Sequence, residues 1–322
     1  MTVTAGAGPS DDPVAVTSRS FSRHPVLRAE LLEQYSNVRF NDTGVELRGE
    51  ELVSFLAGCE KAITGLEPID DALLSRLPEL RVVSKVGVGI DMIDLEALRR
   101  HGVRLGWARG TNANSVAELV IMFAIAALRH VPELDREVRQ GIWRQPKGRL
   151  LSGRTVGIVG FGAVGRAVAG LLRGFGCPVL AHDVVEHGDV PEHVRFAGLD
   201  QLLASSDVVS LHVALTDESR NLIDAAALSR MRDDAVLINT ARGGLVDEHA
   251  LYDALASGHL GAACLDVFAQ EPPLEHGLLE LPNVFLTPHI GGSTEEAILA
   301  MGRAAIRGLD TAEVIEQPGG SA

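Results

Sequence analysis

The sequence predicts an α/β protein with two doubly wound parallel-sheet domains. Two observations carry this prediction. Short apolar runs of strand length alternate with helical patterns along both halves of the 322-residue chain, and such alternation implies parallel sheets. The stretch from Arg154 to Asp183, RTVGIVGFGAVGRAVAGLLRGFGCPVLAHD, is a complete β-turn-α-β unit. The length allows each domain a core of its own.

Val14–Thr17 reads as the first strand, SRSFSRHP after it as a loop, and Val26–Tyr35 as an amphipathic helix. Val38–Phe40 and Lys61–Thr64 are strands, with helices expected at Glu50–Leu56 and Asp70–Leu77. Arg81–Lys85 is a strand closed by the glycine-rich VGVGID, Leu95–Arg100 a helix, and Val103–Leu105 a strand. Ser115-Val116-Ala117-Glu118 has the form of a capping box that opens a helix to about Arg129. Its side chains from Leu119 to Leu128 are nearly all apolar, so it is expected to be buried on most sides. The mixed segment after it carries Trp143. It reads as core packing or, the reading favoured here, as a dimer contact.

Within Arg154–Asp183, Thr155–Val159 is a buried strand and Gly160, Gly162 and Gly165 give GxGxxG directly after it. Val164–Phe175 has helical spacing ended by Gly176, and Val179–Ala181 is a second strand running into His182 and Asp183. Each glycine answers a physical need: the tight turn at Gly160, approach of a pyrophosphate to the backbone at Gly162, close helix–strand packing at Gly165. The helix N-terminus offers N–H groups and partial positive charge to phosphates. Asp183 can accept hydrogen bonds from both ribose hydroxyls of NAD, and it repels the 2′-phosphate of NADP. A lone GxGxxG is a weak signal, but here strand, helix, second strand and acid all fall in place. The domain is therefore expected to be Rossmann-like. Beyond it, Leu199–Ala204 reads as a helix, and Asp224 and Asp247 cap helices to about Met231 and Ser257. Val208–Val213, Ala235–Thr240, Ala262–Val267 and Val284–Thr287 read as strands, and Thr294 opens a last helix to about Ile315.

Apolar content of 46% and charged content of 22% describe an ordinary globular protein. A net charge of −14, from 29 basic and 43 acidic residues with no basic block, argues against nucleic acid as a partner. An anionic substrate remains compatible, because a pocket needs only local positive groups. Cys59, Cys177 and Cys264 lie far apart without metal-ligand spacing, so free thiols in a reducing cytoplasm are expected, and no metal site. The longest apolar run, Leu119–Leu128, is too short to span a bilayer, and no signal-peptide pattern opens the chain. Residues 1 to about 12 are small, polar and acidic, and disorder is expected there.

In open α/β sheets the ligand lies outside the carboxyl ends of the strands. Three polar residues follow predicted strands in the second half: Arg242 after VLINTA, Glu271 after CLDVF, and His289 after VFLTP. Beside a nicotinamide, such a set suits one reaction. His289 exchanges a proton with a hydroxyl or carbonyl oxygen, Glu271 holds the imidazolium, and Arg242 clamps a substrate carboxylate.

With these residues in hand, the chain resembles the D-isomer-specific 2-hydroxyacid dehydrogenase family, most closely its phosphoglycerate dehydrogenase-like branch. The resemblance covers about Ser18 to Val314 and rests on VGIVGFGAVGRAVA, INTARGGLVDEHAL, LDVFAQEPP and LTPHIGGST. In the first half it rests on ITGLEPID, VVSKVGVGIDMIDLEAL and NSVAEL. It implies Arg242 as substrate clamp, His289 as acid-base and Glu271 as its partner. It places Ala163 and Val164 at the pyrophosphate, Asp183 at the adenosine ribose, His212 and Val213 on the adenosine side, and Thr240, Ala241 and Asp266 on the nicotinamide side, with His182 and Gly291 also counted as cofactor-binding. It implies a homodimer whose arm is the segment around Trp143. It also implies a discontinuous substrate domain, residues 1–112 and 296–322, around an NAD-binding domain at 113–295. Formate dehydrogenases of the superfamily have Gln at the Glu271 position, so Glu271 favours a hydroxy acid.

The substrate side is expected at backbone N–H groups of Val86, Gly87, Val88 and Gly89, with Leu66 and Glu67 bordering the pocket. Lys85, just before them, is read equally as an anion contact or a solvated strand-end lysine. The family usually has Asn-Thr-Pro-Gly where this chain has Gly106-Trp107-Ala108-Arg109-Gly110. Arg109 is read first as a surface ion-pair residue; if it faces inward, the substrate carries a second anionic group. Ala214 stands where Pro is frequent, with no function attached. The C-terminal regulatory domain of longer phosphoglycerate dehydrogenases is not expected, nor control by serine through it. The rival readings are a phosphite or phosphonate oxidoreductase on the same scaffold and an NAD-sensing, corepressor-like binding protein.

Overall fold

A computed structural model describes the protein over residues 8–185, 188, 190–273 and 277–314. The chain divides into two compact units. The first runs to Asn112 and resumes at Glu295; the second is Ala113–Thr294.

The first unit holds β1 (Val14–Val16), β2 (Val38–Phe40), β3 (Lys61–Thr64), β4 (Val82–Lys85) and β5 (Arg104–Gly106). They form one parallel sheet in the order β2-β1-β3-β4-β5. β1 is buried along its whole length, which is why it reads as an unbroken apolar run rather than an alternating one; β4 is equally buried although it ends on Ser84 and Lys85. Leu52, Leu56, Leu73 and Leu98 belong to one apolar layer and Phe21, Leu27, Ile306 and Leu309 to a second. The second includes the helix Glu295–Thr311, which returns to this sheet. Its approach needs glycine: a Cβ on Gly106 would come within 2.4 Å of the Gly308 carbonyl oxygen. The Ser84 hydroxyl then donates to the Ala305 carbonyl at 2.7 Å.

The second unit holds β6 (Val156–Val159), β7 (Val179–His182), β8 (Val194–Phe196), β9 (Val208–Leu211), β10 (Val236–Asn239), β11 (Ala262–Leu265) and β12 (Val284–Leu286). Its parallel sheet runs β12-β11-β10-β9-β6-β7-β8. The helices Ala113–Leu128 and Ala163–Arg173 pack together, joining Val116, Phe123, Val168 and Leu172 in one core cluster. Cys59, Cys177 and Cys264 are free thiols, all buried. Among the described residues, no single helix is long and apolar enough to cross a membrane.

Several boundaries differ from the sequence expectation. SRSFSRHP is not a loop: Arg19–Arg23 is helical, with the Ser18 hydroxyl accepting from Phe21 N–H and Phe21 fully buried. A five-residue helix is too short to show a period. The helix expected over Asp70–Leu77 is Asp71–Leu74. Arg76 and Leu77 bond back only three residues, and Pro78 disfavours helical backbone before it. Ser115 is not an N-cap, because the helix starts at Ala113; the Ser115 hydroxyl donates to the Gly291 carbonyl at 2.6 Å. That helix is also less enclosed than expected, with Met122 and Ile125 exposed. β8 was not anticipated. The last helix ends at Thr311, and Ile315 lies outside the described residues. So do residues 1–7, but the disorder expected to residue 12 is not what Ser10 does: its N–H donates to the Gln34 carbonyl at 2.8 Å.

Candidate active site

β10, β11 and β12 are neighbours in the sheet, and the loops at their carboxyl ends carry Arg242, Glu271 and His289. His289 Nδ1 lies 2.7 Å from Glu271 Oε2. The other Glu271 oxygen accepts the Phe268 N–H at 3.2 Å, so the carboxylate is held from its own strand end. A carboxylate only accepts, so Nδ1 carries the hydrogen of this pair and Nε2 is left to exchange a proton.

The His289 backbone has φ +55°, left-handed geometry that costs a non-glycine residue roughly 1–2 kcal/mol. Asp266 holds it there. This carboxylate is only 1% exposed. It accepts from Ile290 N–H and Gly291 N–H, both at 2.8 Å, and from the Thr287 hydroxyl at 2.5 Å. The Asp266 carbonyl also accepts the His289 N–H at 2.8 Å. Asp266 is thus a clamp on the 287–291 loop, a role that sequence reasoning missed. An acid directly after a buried strand, with no basic partner in its motif, was the available signal. Asn239 acts likewise at β10: its amide nitrogen donates to the Arg242 carbonyl at 2.8 Å, and its amide oxygen accepts Ala241 N–H at 3.1 Å. The Arg242 guanidinium donates to the Ala241 carbonyl at 2.7 Å.

The sheet order of this unit reverses between β6 and β9, the position where open α/β sheets bind ligands. Gly160 follows β6 with φ +95°; a Cβ there would lie 2.6 Å from His212 backbone atoms, and one on Gly165 would lie 2.2 Å from the Gly160 carbonyl oxygen. Gly162, by contrast, has no atom within 4 Å of its Cβ position. It caps the helix Ala163–Arg173 without a side-chain bond, so its mouth is open where a pyrophosphate would meet the first turn at Ala163 and Val164. Asp183 directly follows β7 and accepts Phe161 N–H at 2.6 Å and Val185 N–H at 3.1 Å. His182 Nδ1 is 3.2 Å from the Ala197 carbonyl. His212 Nε2 is 2.9 Å from the Ser210 hydroxyl, and burial pushes the imidazole down to about 3, which leaves it neutral at physiological pH. Val213 lines the glycine turn beside it. The Thr240 hydroxyl is buried without a hydrogen-bond partner, next to Ala241 on the side expected for the nicotinamide half. An open helix mouth, an acid at the next strand end and an orphaned hydroxyl fit a dinucleotide.

In the first unit, Val86 is corrected: its N–H donates to the Thr64 carbonyl at 2.9 Å, because it still continues the ladder of β4. The N–H groups of Gly87, Val88 and Gly89 have no partner among the described residues. Gly87 has φ +105°, the kind of turn that points successive N–H groups at an anion. Lys85 is not a solvated lysine. It is 4% exposed, and its ammonium donates to the Val86 carbonyl at 2.6 Å. Trp107 Nε1 donates to the Val88 carbonyl at 3.0 Å and props the loop. Arg109 is stacked over the Trp107 ring at 4.7 Å, and Leu66 is exposed.

Comparison with known proteins agrees with this geometry. Residues 121–291 match the family described as D-isomer specific 2-hydroxyacid dehydrogenase, NAD binding domain. The chain is 40% identical over 224 residues to hydroxypyruvate reductase of Thermotoga maritima, covering 68% of this chain and 72% of that one. It is 38% identical over 283 residues to D-3-phosphoglycerate dehydrogenase of Mycobacterium leprae, covering 84% of this chain and 53% of that one. It thus spans about half the length of the phosphoglycerate dehydrogenases it matches. The fold is similar to that of a glyoxylate reductase from Paecilomyes thermophila, with TM-score 0.81, 29% identity, and coverage of 92% of this chain and 94% of that one.

Proposed function

We infer the reaction from one premise: this chain belongs to the D-isomer specific 2-hydroxyacid dehydrogenase family. The reaction is oxidation of a D-2-hydroxy acid by NAD to the 2-oxo acid, NADH and a proton, or its reverse. The observation that carries it is the His289–Glu271 pair at 2.7 Å, beside Arg242 at the ends of three neighbouring strands.

NAD, when bound, supplies the acceptor or donor of the C2 hydride. The Gly160–Gly165 turn with Ala163 and Val164 would hold its pyrophosphate, Asp183 its adenosine ribose, and Thr240 its nicotinamide half. His289 Nε2 takes the C2 hydroxyl proton during oxidation and returns it during reduction. Glu271 keeps the ring oriented and stabilises the imidazolium. Arg242 pairs with the substrate carboxylate, and the free N–H groups of Gly87–Gly89 offer a second cradle for a carboxylate. A cytoplasmic homodimer completes the reading. Its support is the reduced, buried cysteines and the exposed apolar side chains of Met122, Ile125, Val138, Ile142 and Trp143.

An NADH-consumption screen of the purified chain tests this reading. Glyoxylate, hydroxypyruvate, phosphohydroxypyruvate, 2-oxoglutarate and phosphonopyruvate are offered, each with NADH and with NADPH. Turnover of at least one acid, with NADH preferred, is expected. Bound NADH without turnover of any acid would leave a cofactor-sensing protein as the better reading.

A further inference from the structure

The segment Val267–Glu271 leaves β11 as a loop, without helix or strand. Among the described residues, no backbone–backbone hydrogen bond reaches it. Its one internal bond joins Phe268 N–H to the Glu271 carboxylate. Two side chains from elsewhere bond it. One is His289, on Glu271 itself. The other is Glu248, whose Oε1 accepts the Ala269 N–H at 2.8 Å. Without that bond the loop would hold Glu271 only through the residue that Glu271 is meant to orient.

Glu248 stands on a firm support. It is the first residue of the helix Glu248–Ala256. Asp247 caps this helix, its carboxylate accepting His249 N–H at 3.0 Å and Ala250 N–H at 3.1 Å. The Asp247 N–H donates to the Ile223 carbonyl at 3.1 Å, and Leu251 and Leu255 bury the helix in the core. An acid in a first turn ordinarily serves the dipole of its own helix. Here one oxygen reaches a loop 21 residues further along the chain. Gly243, next to Arg242, presses bare backbone on the same spot. A Cβ there would lie 1.8 Å from the Phe268 carbonyl carbon and 2.2 Å from the Ala269 nitrogen. Glu248 therefore bonds the loop where the exits of β10 and β11 touch.

We propose that Glu248 is a positioning residue for the Glu271–His289 pair. The inference rests on the dehydrogenase reading and adds to it a residue outside the proton path. The Glu271 and His289 side chains are 38% and 49% exposed. An exposed ion pair contributes little unless its geometry is held. His289 becomes charged when it takes the hydroxyl proton, so Glu271 has to be in place at that moment. Glu248 supplies the hold through Ala269. What the loop needs from it is an acceptor at that position, not a charge.

The test is steady-state reduction by NADH of the oxo acids named above, by the full chain, Glu248→Ala, Glu248→Gln, Glu271→Gln and the double variant Glu248→Ala/Glu271→Gln. Glu248→Ala is expected to lower kcat about tenfold, with KM for acid and NADH within about twofold. The amide oxygen of Gln accepts the same N–H, so Glu248→Gln is expected to keep at least about half of kcat. In the Glu271→Gln background, Glu248→Ala is expected to cost less than about twofold more, because the two residues act as one unit. Hydrogen exchange of the 267–271 loop, read by mass spectrometry, is expected to quicken in Glu248→Ala and not in Glu248→Gln. Unchanged kcat or exchange in Glu248→Ala overturns the proposal alone. So does an equal loss in Glu248→Gln, or a tenfold loss that persists without Glu271. Silence of the unaltered chain toward every acid overturns the dehydrogenase reading and the proposal together.

Discussion

Both units are open parallel sheets with polar groups at the carboxyl ends of their strands, yet the two edges are finished differently. In the second unit the groups proposed to carry the reaction are already bonded. Asp266 accepts three hydrogen bonds through its carboxylate, Glu271 holds His289, and Asn239 fixes the Arg242 turn. In the first unit, Glu67, Arg23 and the N–H groups of Gly87–Gly89 retain unfilled bonding capacity. A group that moves a proton must be in place beforehand, since misplacement costs rate. A group that recognises a ligand is satisfied by the ligand itself.

The sharpest way to break this contrast is at its fixed side. His289→Ala is expected to lower turnover about 10²–10⁴-fold with NADH affinity nearly intact by fluorescence titration; unchanged turnover would remove His289 from the mechanism. Asp266→Ala strips the loop of three bonds. It is expected to lower kcat by about ten- to a hundredfold and to cost roughly 2–4 kcal/mol of stability, measured by denaturant unfolding. A stability loss without a kcat loss would make the clamp a purely structural device. On the open side, Gly87→Ala forces a side chain into φ +105°. It is expected to raise KM about tenfold with a smaller change in kcat; an equal fall in kcat alone would place that loop with the reaction chemistry instead.

The smallest effect concerns pH. Burial holds the His212 imidazole at about 3, below its unfolded value of about 6.5. Its contribution to stability is therefore complete above about pH 6.5 and is lost as pH falls toward 3. His212→Gln is expected to flatten the loss of stability between pH 6.5 and 5 by about 1 kcal/mol, read from urea midpoints. An identical pH slope in the variant would mean that the ring titrates normally.

The sequence made the second unit far more legible than the first. The chemistry proposed for its strand ends needs set residue types at set places, so GxGxxG, Asp183, Arg242, Glu271 and His289 stood out directly. What stayed hidden there was support: Asp266 and Asn239 act through loop bonds that no spacing reveals, and Ser115 looked like a cap because its hydroxyl partner, Gly291, lies far along the chain. In the first unit the strands were readable as apolar runs, but the helix Arg19–Arg23 was not, being a single turn. Burial of Glu67 and Lys85 was equally invisible, because charged residues at strand ends usually meet water. Only the fold shows that Gly65 and the Val86 turn close over them.

The helix Glu295–Thr311 that rejoins the first sheet also has a consequence for biosynthesis. β4 and β5 are translated before the second unit, but the helix that covers them, with Gly308 against Gly106, is translated after it. A ribosome adds roughly 5–20 residues per second, so the first sheet waits uncovered while the whole of Ala113–Thr294 emerges. The second unit is continuous in sequence and has no such wait. Chains stalled just before Glu295 are therefore expected to resist protease across the second sheet and to be cut in the first, reversing the usual N-terminal-first order of assembly.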